Sequence, residues 1–173
     1  MGERVVKAIE AGEKHHLLGQ IGEELVHRMY PLWSRAEPFQ EGYDFVKHRK
    51  GGNVKVEVKT LDLEEILSRQ IYFRVWQGHW HNQAADLVLI ASPTGVYQLD
   101  AKSLRQYLRN HLAQLPHLEH LSYRGGQEVW IEVSLDRLLG LKIGRPANIN
   151  PSHCRDFFLE RLGLKKPKVE RKT

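Results

Sequence analysis

The spacing of apolar residues near the start of the chain predicts a helix over residues 13–30. Its apolar positions recur at three- and four-residue intervals and form one stripe: Leu18, Ile21, Gly22, Leu25 and Met29. Pro31 ends this helix, because proline disfavours helical geometry in the residue before it. A region rich in turn residues follows, as far as Gly42.

Strict alternation over residues 53–60 predicts a strand with one face on a core. Valines occupy one face of this strand, and the other face carries Lys55, Glu57 and Lys59. A shorter strand is predicted over residues 43–48. The sequence Arg49-Lys50-Gly51-Gly52 between the two strands predicts a turn, because its glycines can take positive φ.

Further strands and helices alternate along the rest of the chain. The same patterns predict strands over 70–76, 85–91, 96–99 and 129–133. They predict helices over 101–112, 136–141 and 152–162, the last with Ser152 as its N-cap. Helices on both sides of a run of strands indicate an α/β domain with a central mixed sheet flanked by helices.

The length of 173 residues suits a single domain with a core of its own. We expect this domain to span residues 1–164, with a core over about 13–112 and an addition over 113–164, followed by a basic flexible tail over 165–173. One cysteine, Cys154, excludes an internal disulfide and a cysteine-based zinc cluster. With no apolar run long enough to cross a bilayer and no signal peptide, a cytoplasmic protein without a membrane partner is expected.

Charge is divided unevenly along the chain. Residues 1–100 hold 12 basic and 14 acidic side chains, net −2, whereas residues 101–173 hold 14 basic and 7 acidic side chains, net +7. A basic half beside an acidic half suggests a polyanionic partner and a need for carboxylates nearby. A solvated surface with a basic tail accounts for the same count.

The hairpin suggests where those carboxylates act. If residues 49–52 form the loop, Val46 faces Lys55 and Asp44 faces Glu57, with Cβ atoms about 5 Å apart. Two facing carboxylates repel each other, so a cation is expected beside them, and Mg²⁺ is the natural candidate. Lys59 projects from the same face and could stabilise a phosphorane-like transition state. A surface hairpin with cross-strand ion pairs would show the same alternation.

These residues resemble the core of the PD-(D/E)xK nuclease superfamily. The match consists of Gly42-Tyr43-Asp44 and Val56-Glu57-Val58-Lys59-Thr60, with twelve residues between Asp44 and Glu57, preceded by Gly19-x-x-Gly22-Glu23 on the first helix. Within the superfamily, the chain is most similar to small endonucleases related to Holliday-junction resolvases and to homing enzymes. The resemblance covers about residues 15–110, and Tyr43 stands where the motif's name has proline.

The resemblance implies a restriction-endonuclease-like fold and Mg²⁺-dependent hydrolysis of DNA phosphodiester bonds, with Mn²⁺ a possible substitute. It makes Asp44, Glu57 and Glu23 the metal ligands and Lys59 the residue that orients or activates water. Helical phase alone places Glu23 and Glu24 about equally, and only the resemblance selects Glu23. Because one active site per chain cannot cut both strands, a dimer or higher homo-oligomer is expected.

Polar and basic residues outside the motif are candidates for contacts with DNA bases or phosphates. They lie in a polar turn after the third strand and near the end of the chain: Gln77, His79, His81, Asn82, Lys142 and Arg145. An ordinary turn packed by two tryptophans explains the first four equally well.

Four interpretations stay open at the level of the sequence. We expect a site-specific endonuclease of the restriction or homing type, and a structure-specific Holliday-junction resolvase is the first alternative. A DNA-binding protein that keeps the scaffold without cutting is the second, and a basic domain with no nucleic-acid role is the third.

Overall fold

A six-stranded mixed sheet forms the centre of the fold. The structure, a computed structural model, describes residues 3–37, 42–76, 79–80, 85–121 and 127–163, with side chains over 16–37, 42–73, 85–116 and 130–163. The elements in these ranges are, in chain order, α1 (Glu3–Met29), β1 (Ser34–Arg35), β2 (Phe45–Lys47), β3 (Val54–Thr60), α2 (Leu63–Ser68), β4 (Gln70–Trp76), β5 (His79–Trp80), β6 (Leu87–Ser92), β7 (Gly95–Asp100), α3 (Ala101–His111), β8 (His117–Leu121), β9 (Gln127–Ser134), α4 (Leu135–Gly140), β10 (Gly144–Pro146) and α5 (Pro151–Arg161).

The central sheet has the order β1-β2-β3-β6-β7-β10. Strands β3 and β6 are parallel, and every other neighbouring pair in this sheet is antiparallel. This confirms the predicted α/β architecture with a mixed central sheet flanked by helices. A second sheet, β5-β4-β9-β8, is antiparallel and holds the strands predicted over 70–76 and 129–133. Alternation identifies a strand but not its partner, so the sequence did not separate the two sheets.

Two apolar clusters cover the two faces of the central sheet. On one face, α1 and α5 pack through residues such as Leu25 and Phe158 against Phe45 and Val56. On the other face, the second sheet and helices α2, α3 and α4 pack against Val88, Ile90 and Leu99. The first cluster includes Cys154, which is fully buried on α5, as expected of a small packing residue. Helix α5 therefore closes over the same core as α1.

The β2–β3 hairpin has the predicted register and turn. Val46 pairs with Lys55, and Lys47 pairs with Val54. Gly51 and Gly52 have φ values of 92° and 139°, a region that L side chains rarely adopt. The loop between the strands therefore depends on these two glycines.

Several elements differ from the predictions at their ends or were not predicted. Asn150, rather than Ser152, is the N-cap of α5: its Oδ1 accepts from the Ser152 backbone N–H at 3.0 Å, and Pro151 occupies the first turn. The prediction for Ser152 was wrong because an Asn-Pro pair two residues earlier suits the cap and the first helical position better. Strands β1 and β10 have two and three residues, too few for any periodicity to indicate them.

In the part of the chain that the structure describes, no helix is both long and apolar enough to cross a membrane. The expected basic tail over 165–173 lies outside the described residues.

Candidate active site

Helix α1 lies unusually close to strand β3 at one point. A Cβ atom added to Gly22 would overlap Thr60 Oγ1 and would lie 2.9 Å from Thr60 Cβ. Thr60 Oγ1 is buried and has no hydrogen-bond partner among the described residues. Gly19, one turn earlier, has nothing within 4 Å of an added Cβ. Gly22 is therefore the residue that lets α1 approach β3 and sets the position of Glu23, the next residue.

Glu23 and Asp44 form a pair of carboxyl groups joined by a hydrogen bond. Partial burial, then the negative charge of Asp44 and the shared hydrogen bond, raise the pKa of Glu23 from 4.5 to about 7, while the positive charge of Arg35 opposes the rise. Glu23 therefore gives up its proton less readily than an ordinary glutamic acid, because two carboxylates at close range repel each other unless a cation lies beside them.

Backbone contacts to β3 hold Asp44 in place. Its N–H donates to Val56 O at 2.7 Å, and its Oδ2 accepts from Val58 N at 2.7 Å. The regular ladder ends at the pair Phe45–Val56, so Asp44 and Phe45 both lie opposite Val56. The expected Asp44–Glu57 pair is therefore not part of the ladder. This irregularity turns Asp44 towards the helix, where its carboxyl partner is Glu23.

Glu57 and Lys59 lie on the face of β3 that points to the second sheet. They are in register with Val88 and Ile90 of β6, both buried in the cluster on that face. Lys59 Nζ lies 5.8 Å from the ring centroid of Phe73 and 5.7 Å from that of Trp130. Two aromatic rings of the second sheet thus hold the ammonium group by cation–π attraction.

The structure separates Glu23 from its neighbour Glu24. Glu24 Oε2 lies 2.8 Å from Arg161 Nε, and Arg161 stacks over Phe157 on the same helix, α5, with 4.0 Å to the ring centroid. Glu24 therefore joins two helices, whereas Glu23 meets Asp44. Packing therefore gives two acids of nearly equal helical phase different partners.

The donor set at Glu23 and Asp44 fits a hard divalent cation. Two neighbouring carboxyl groups offer oxygen ligands, and Mg²⁺ commonly binds one or two carboxylates and keeps several waters. Among the described side chains, no group of three or more His, Cys, Asp or Glu residues is arranged to hold a metal ion. A role for Glu57 as a third ligand thus stays a prediction.

The predicted DNA contacts fall into two groups. Gln77, His81 and Asn82 lie outside the described residues, and of His79 only the backbone, in β5, is described. Lys142 and Arg145 are exposed and line a cavity of about 660 Å³ together with Gln98 and Asp100. They lie at the β10 edge, four strands from β2, or about 19 Å at ~4.8 Å per strand. The structure does not bring them together with the carboxyl pair.

Two residues near the site carried no signal in the sequence. Arg35, in the two-residue strand β1, pairs with Phe45 and is the cation whose charge acts on Glu23. Trp130 reaches Lys59 from β9, more than 70 positions away in the chain. A strand as short as β1 shows no periodicity, and a contact between two sheets is not encoded locally.

Comparison of the chain with protein-family models, curated proteins and solved structures finds no match. Function is therefore inferred from the residues and their geometry.

Proposed function

We propose that the protein is a metal-dependent endonuclease of the restriction-endonuclease-like fold that hydrolyses DNA phosphodiester bonds at specific sites. The observation that carries this proposal is the Glu23–Asp44 carboxyl pair, held beside the strand that bears Glu57 and Lys59. Two ionised carboxylates at close range repel each other, and a bound cation removes this repulsion. The mixed sheet flanked by helices also supports the proposal.

Glu23 and Asp44 would hold Mg²⁺, with Mn²⁺ as a possible substitute and Glu57 as a further ligand. When bound, this ion polarises a phosphoryl oxygen and lowers the pKa of bound water. Asp44 keeps its place because the N–H of Val58 binds one of its oxygens. Its carboxyl group therefore needs little reorganisation to meet a ligand.

Lys59 supplies positive charge on the other face of β3. The rings of Phe73 and Trp130 attract its ammonium group without neutralising it. A charge positioned in advance stabilises negative charge that develops on a transferring phosphoryl group. The resemblance also assigns Lys59 the orientation of the attacking water, and because α1 packs on the opposite face of β3, the Lys59→Ala assay below tests whether Lys59 reaches the reacting phosphate.

Cutting both strands of a duplex requires two active sites, and a symmetric homodimer supplies them most simply. Residues 113–164, which include β8, β9 and α5, are the part of the chain outside the motif and would provide specificity or the contact between copies.

The decisive experiment incubates the protein with plasmid DNA and with a four-way junction, each with Mg²⁺ or with EDTA. Wild type and Lys59→Ala are compared on both substrates. We expect Mg²⁺-dependent cleavage of plasmid at defined sites by the wild type and a loss of at least about 100-fold in Lys59→Ala, because both charge and water orientation are removed.

Each other outcome selects a different conclusion. Preferential cleavage of the junction would identify a structure-specific resolvase. Binding without cleavage in any divalent metal would identify a non-cleaving DNA-binding protein and end the nuclease proposal. Full activity of Lys59→Ala would show that the active site has been assigned to the wrong residues.

A further inference from the structure

The β2–β3 hairpin and the adjoining strand β1 carry a concentration of cations outside the nuclease motif. We call these residues the basic hairpin surface: Arg35, Lys47, Arg49, Lys50 and Lys55. The ion pairs of Arg69, Arg155 and Arg161 with carboxylates lie elsewhere in the fold. The charge of Arg35 acts on the carboxyl group of Glu23, so this surface adjoins the carboxyl pair.

Aromatic rings, rather than carboxylates, support three of these cations. Lys47 Nζ lies 5.7 Å from the Trp33 ring centroid, and Lys55 Nζ lies 5.2 Å from that of Tyr43. The Arg35 guanidinium lies 5.7 Å from the centroid of Phe45. Such contacts hold a side chain against the surface but leave its charge intact, so the cations are positioned and still able to bind an anion.

The base of the hairpin loop is fixed by a histidine. His48 Nε2 lies 2.8 Å from Ser34 Oγ, and its Nδ1 lies 3.2 Å from Asn53 Oδ1. These bonds tie β1 to both ends of the loop. The loop is thus anchored at its base, which reduces the entropy lost when it binds a partner.

The loop itself stands clear of the protein. Residues 48–53 are all exposed, and an added Cβ on Gly51 or Gly52 would meet nothing within 4 Å. Arg49 lies five residues from Asp44, and only residues 45–47 between them form a strand, so the two are at most about 17 Å apart at ~3.3 Å per residue. At ~3.4 Å per base pair, this distance is at most about five base pairs of a DNA duplex.

We propose that the basic hairpin surface binds the phosphate backbone of duplex DNA, within about five base pairs of the phosphate at the Glu23–Asp44 pair. The distance from the cut rests on the proposed function, whereas the binding itself does not. Clustered like charges repel each other, and a polyanion that releases its counterions on binding relieves this repulsion. The basic hairpin surface is separate from the motif residues and from Lys142 and Arg145 at the β10 edge.

The test measures binding to a duplex of about 20 base pairs in EDTA, where no cleavage occurs, over a range of salt concentrations. It compares wild type, Arg49→Ala/Lys50→Ala and the matched control Lys102→Ala/Arg109→Ala, which removes the same charge from exposed positions on α3. We expect the hairpin variant to lower the slope of log K against log salt by about 1.8 and the control to lower it by far less.

All three proteins are expected to melt at similar temperatures, because the substituted side chains are exposed. Equal affinity and equal slope for the hairpin variant and the control would overturn the inference, and so would failure of the wild type to bind duplex DNA. The nuclease proposal is read separately, from Mg²⁺-dependent cleavage. If cleavage is absent but the hairpin variant lowers the slope of log K against log salt by about 1.8, the inference stands and the nuclease proposal fails.

Discussion

Charged side chains make different kinds of contact at the two edges of the central sheet. At the β1–β2 edge, two acids bind each other, and the nearby cations Arg35 and Lys47 rest on aromatic rings. At the β10 edge, Arg145 Nε donates to Gln98 Oε1 at 3.3 Å, and Asp100 caps α3 by accepting from the Ser103 N–H at 2.7 Å. Polar groups at the second edge contact one another within the fold, whereas two acids at the first edge lie close together, an arrangement that we propose binds a cation.

The largest contrast is expected from the same substitution at each edge. Asp44→Asn removes a carboxylate ligand but keeps an oxygen that can accept from Val58 N–H, so the fold is preserved. We expect cleavage to fall by about 100-fold or more, because metal binding contributes several kcal/mol at ~1.4 kcal/mol for each factor of ten. Cleavage rates at saturating Mg²⁺ measure this change.

Asp100→Asn is the control for that experiment, because asparagine caps a helix as well as aspartate does. Its cleavage rate is expected to stay within a few-fold of wild type. Equal losses of cleavage rate in Asp44→Asn and Asp100→Asn would show that the carboxyl group of Asp44 has no special role in cleavage.

The close approach of α1 to β3 should give the next largest effect, on stability. Gly22→Ala must push the helix away from Thr60, at a cost of about 1–3 kcal/mol in the free energy of unfolding. Gly19→Ala meets nothing and should stabilise the helix by up to about 1 kcal/mol. Urea denaturation of both variants measures the difference, and similar effects would show that the contact at Gly22 does not position the helix.

The pH dependence of stability tests the carboxyl pair directly. The pKa of Glu23 is about 7 in the folded protein, above its ordinary value of 4.5, so the folded state binds more protons between these two pH values. The free energy of unfolding should therefore fall as the pH rises from about 4.5 through 7, by on the order of 2 kcal/mol.

Glu23→Gln does not titrate and should lack this component of the pH profile. The measurement is the difference between the unfolding profiles of wild type and variant in EDTA. At pH 7 and above, added Mg²⁺ should restore part of the stability lost over that range in wild type alone, because the ion binds only the ionised pair. Parallel profiles for the two proteins would contradict the raised pKa of Glu23.

A smaller effect is expected where the second sheet contacts Lys59. Trp130→Leu removes one of the two rings near the ammonium group, a contact of about 0.5–2 kcal/mol, and should lower the cleavage rate a few-fold to about 20-fold. Trp130→Phe keeps a ring and should restore most of the loss. A leucine variant as active as the phenylalanine variant would show that packing, not the ring's charge distribution, matters here.

The smallest effect is expected at the far edge. Lys142→Ala/Arg145→Ala should lower the salt slope of DNA binding by less than about 1, compared with about 1.8 for the basic hairpin surface, because Arg145 already donates to Gln98. Salt titrations on the same duplex measure both. A larger change in the salt slope for Lys142→Ala/Arg145→Ala would show that the β10 edge, and not the basic hairpin surface, makes the main contact with DNA.

Much of the candidate site could be predicted because its residues lie in a hairpin with local register. Val46 pairs with Lys55 as the loop Arg49-Lys50-Gly51-Gly52 predicted, which places Glu57 and Lys59 on one face. The partner of Asp44 could not be predicted in this way. The ladder stops at Phe45–Val56, and the irregular backbone turns the carboxyl group towards a helix some twenty residues earlier.

By itself, the sequence determined the helices other than α2, most of the strands, the hairpin register and the α/β class, because each follows from the spacing of apolar residues and from turn chemistry within a few positions. Only the tertiary structure gave Glu23 and Glu24 different partners, divided the strands into two sheets, and brought Arg35 and Trp130 to the site. These outcomes depend on which surfaces pack together, and Gly22 shows why: the position of Glu23 depends on how closely one helix can approach one strand.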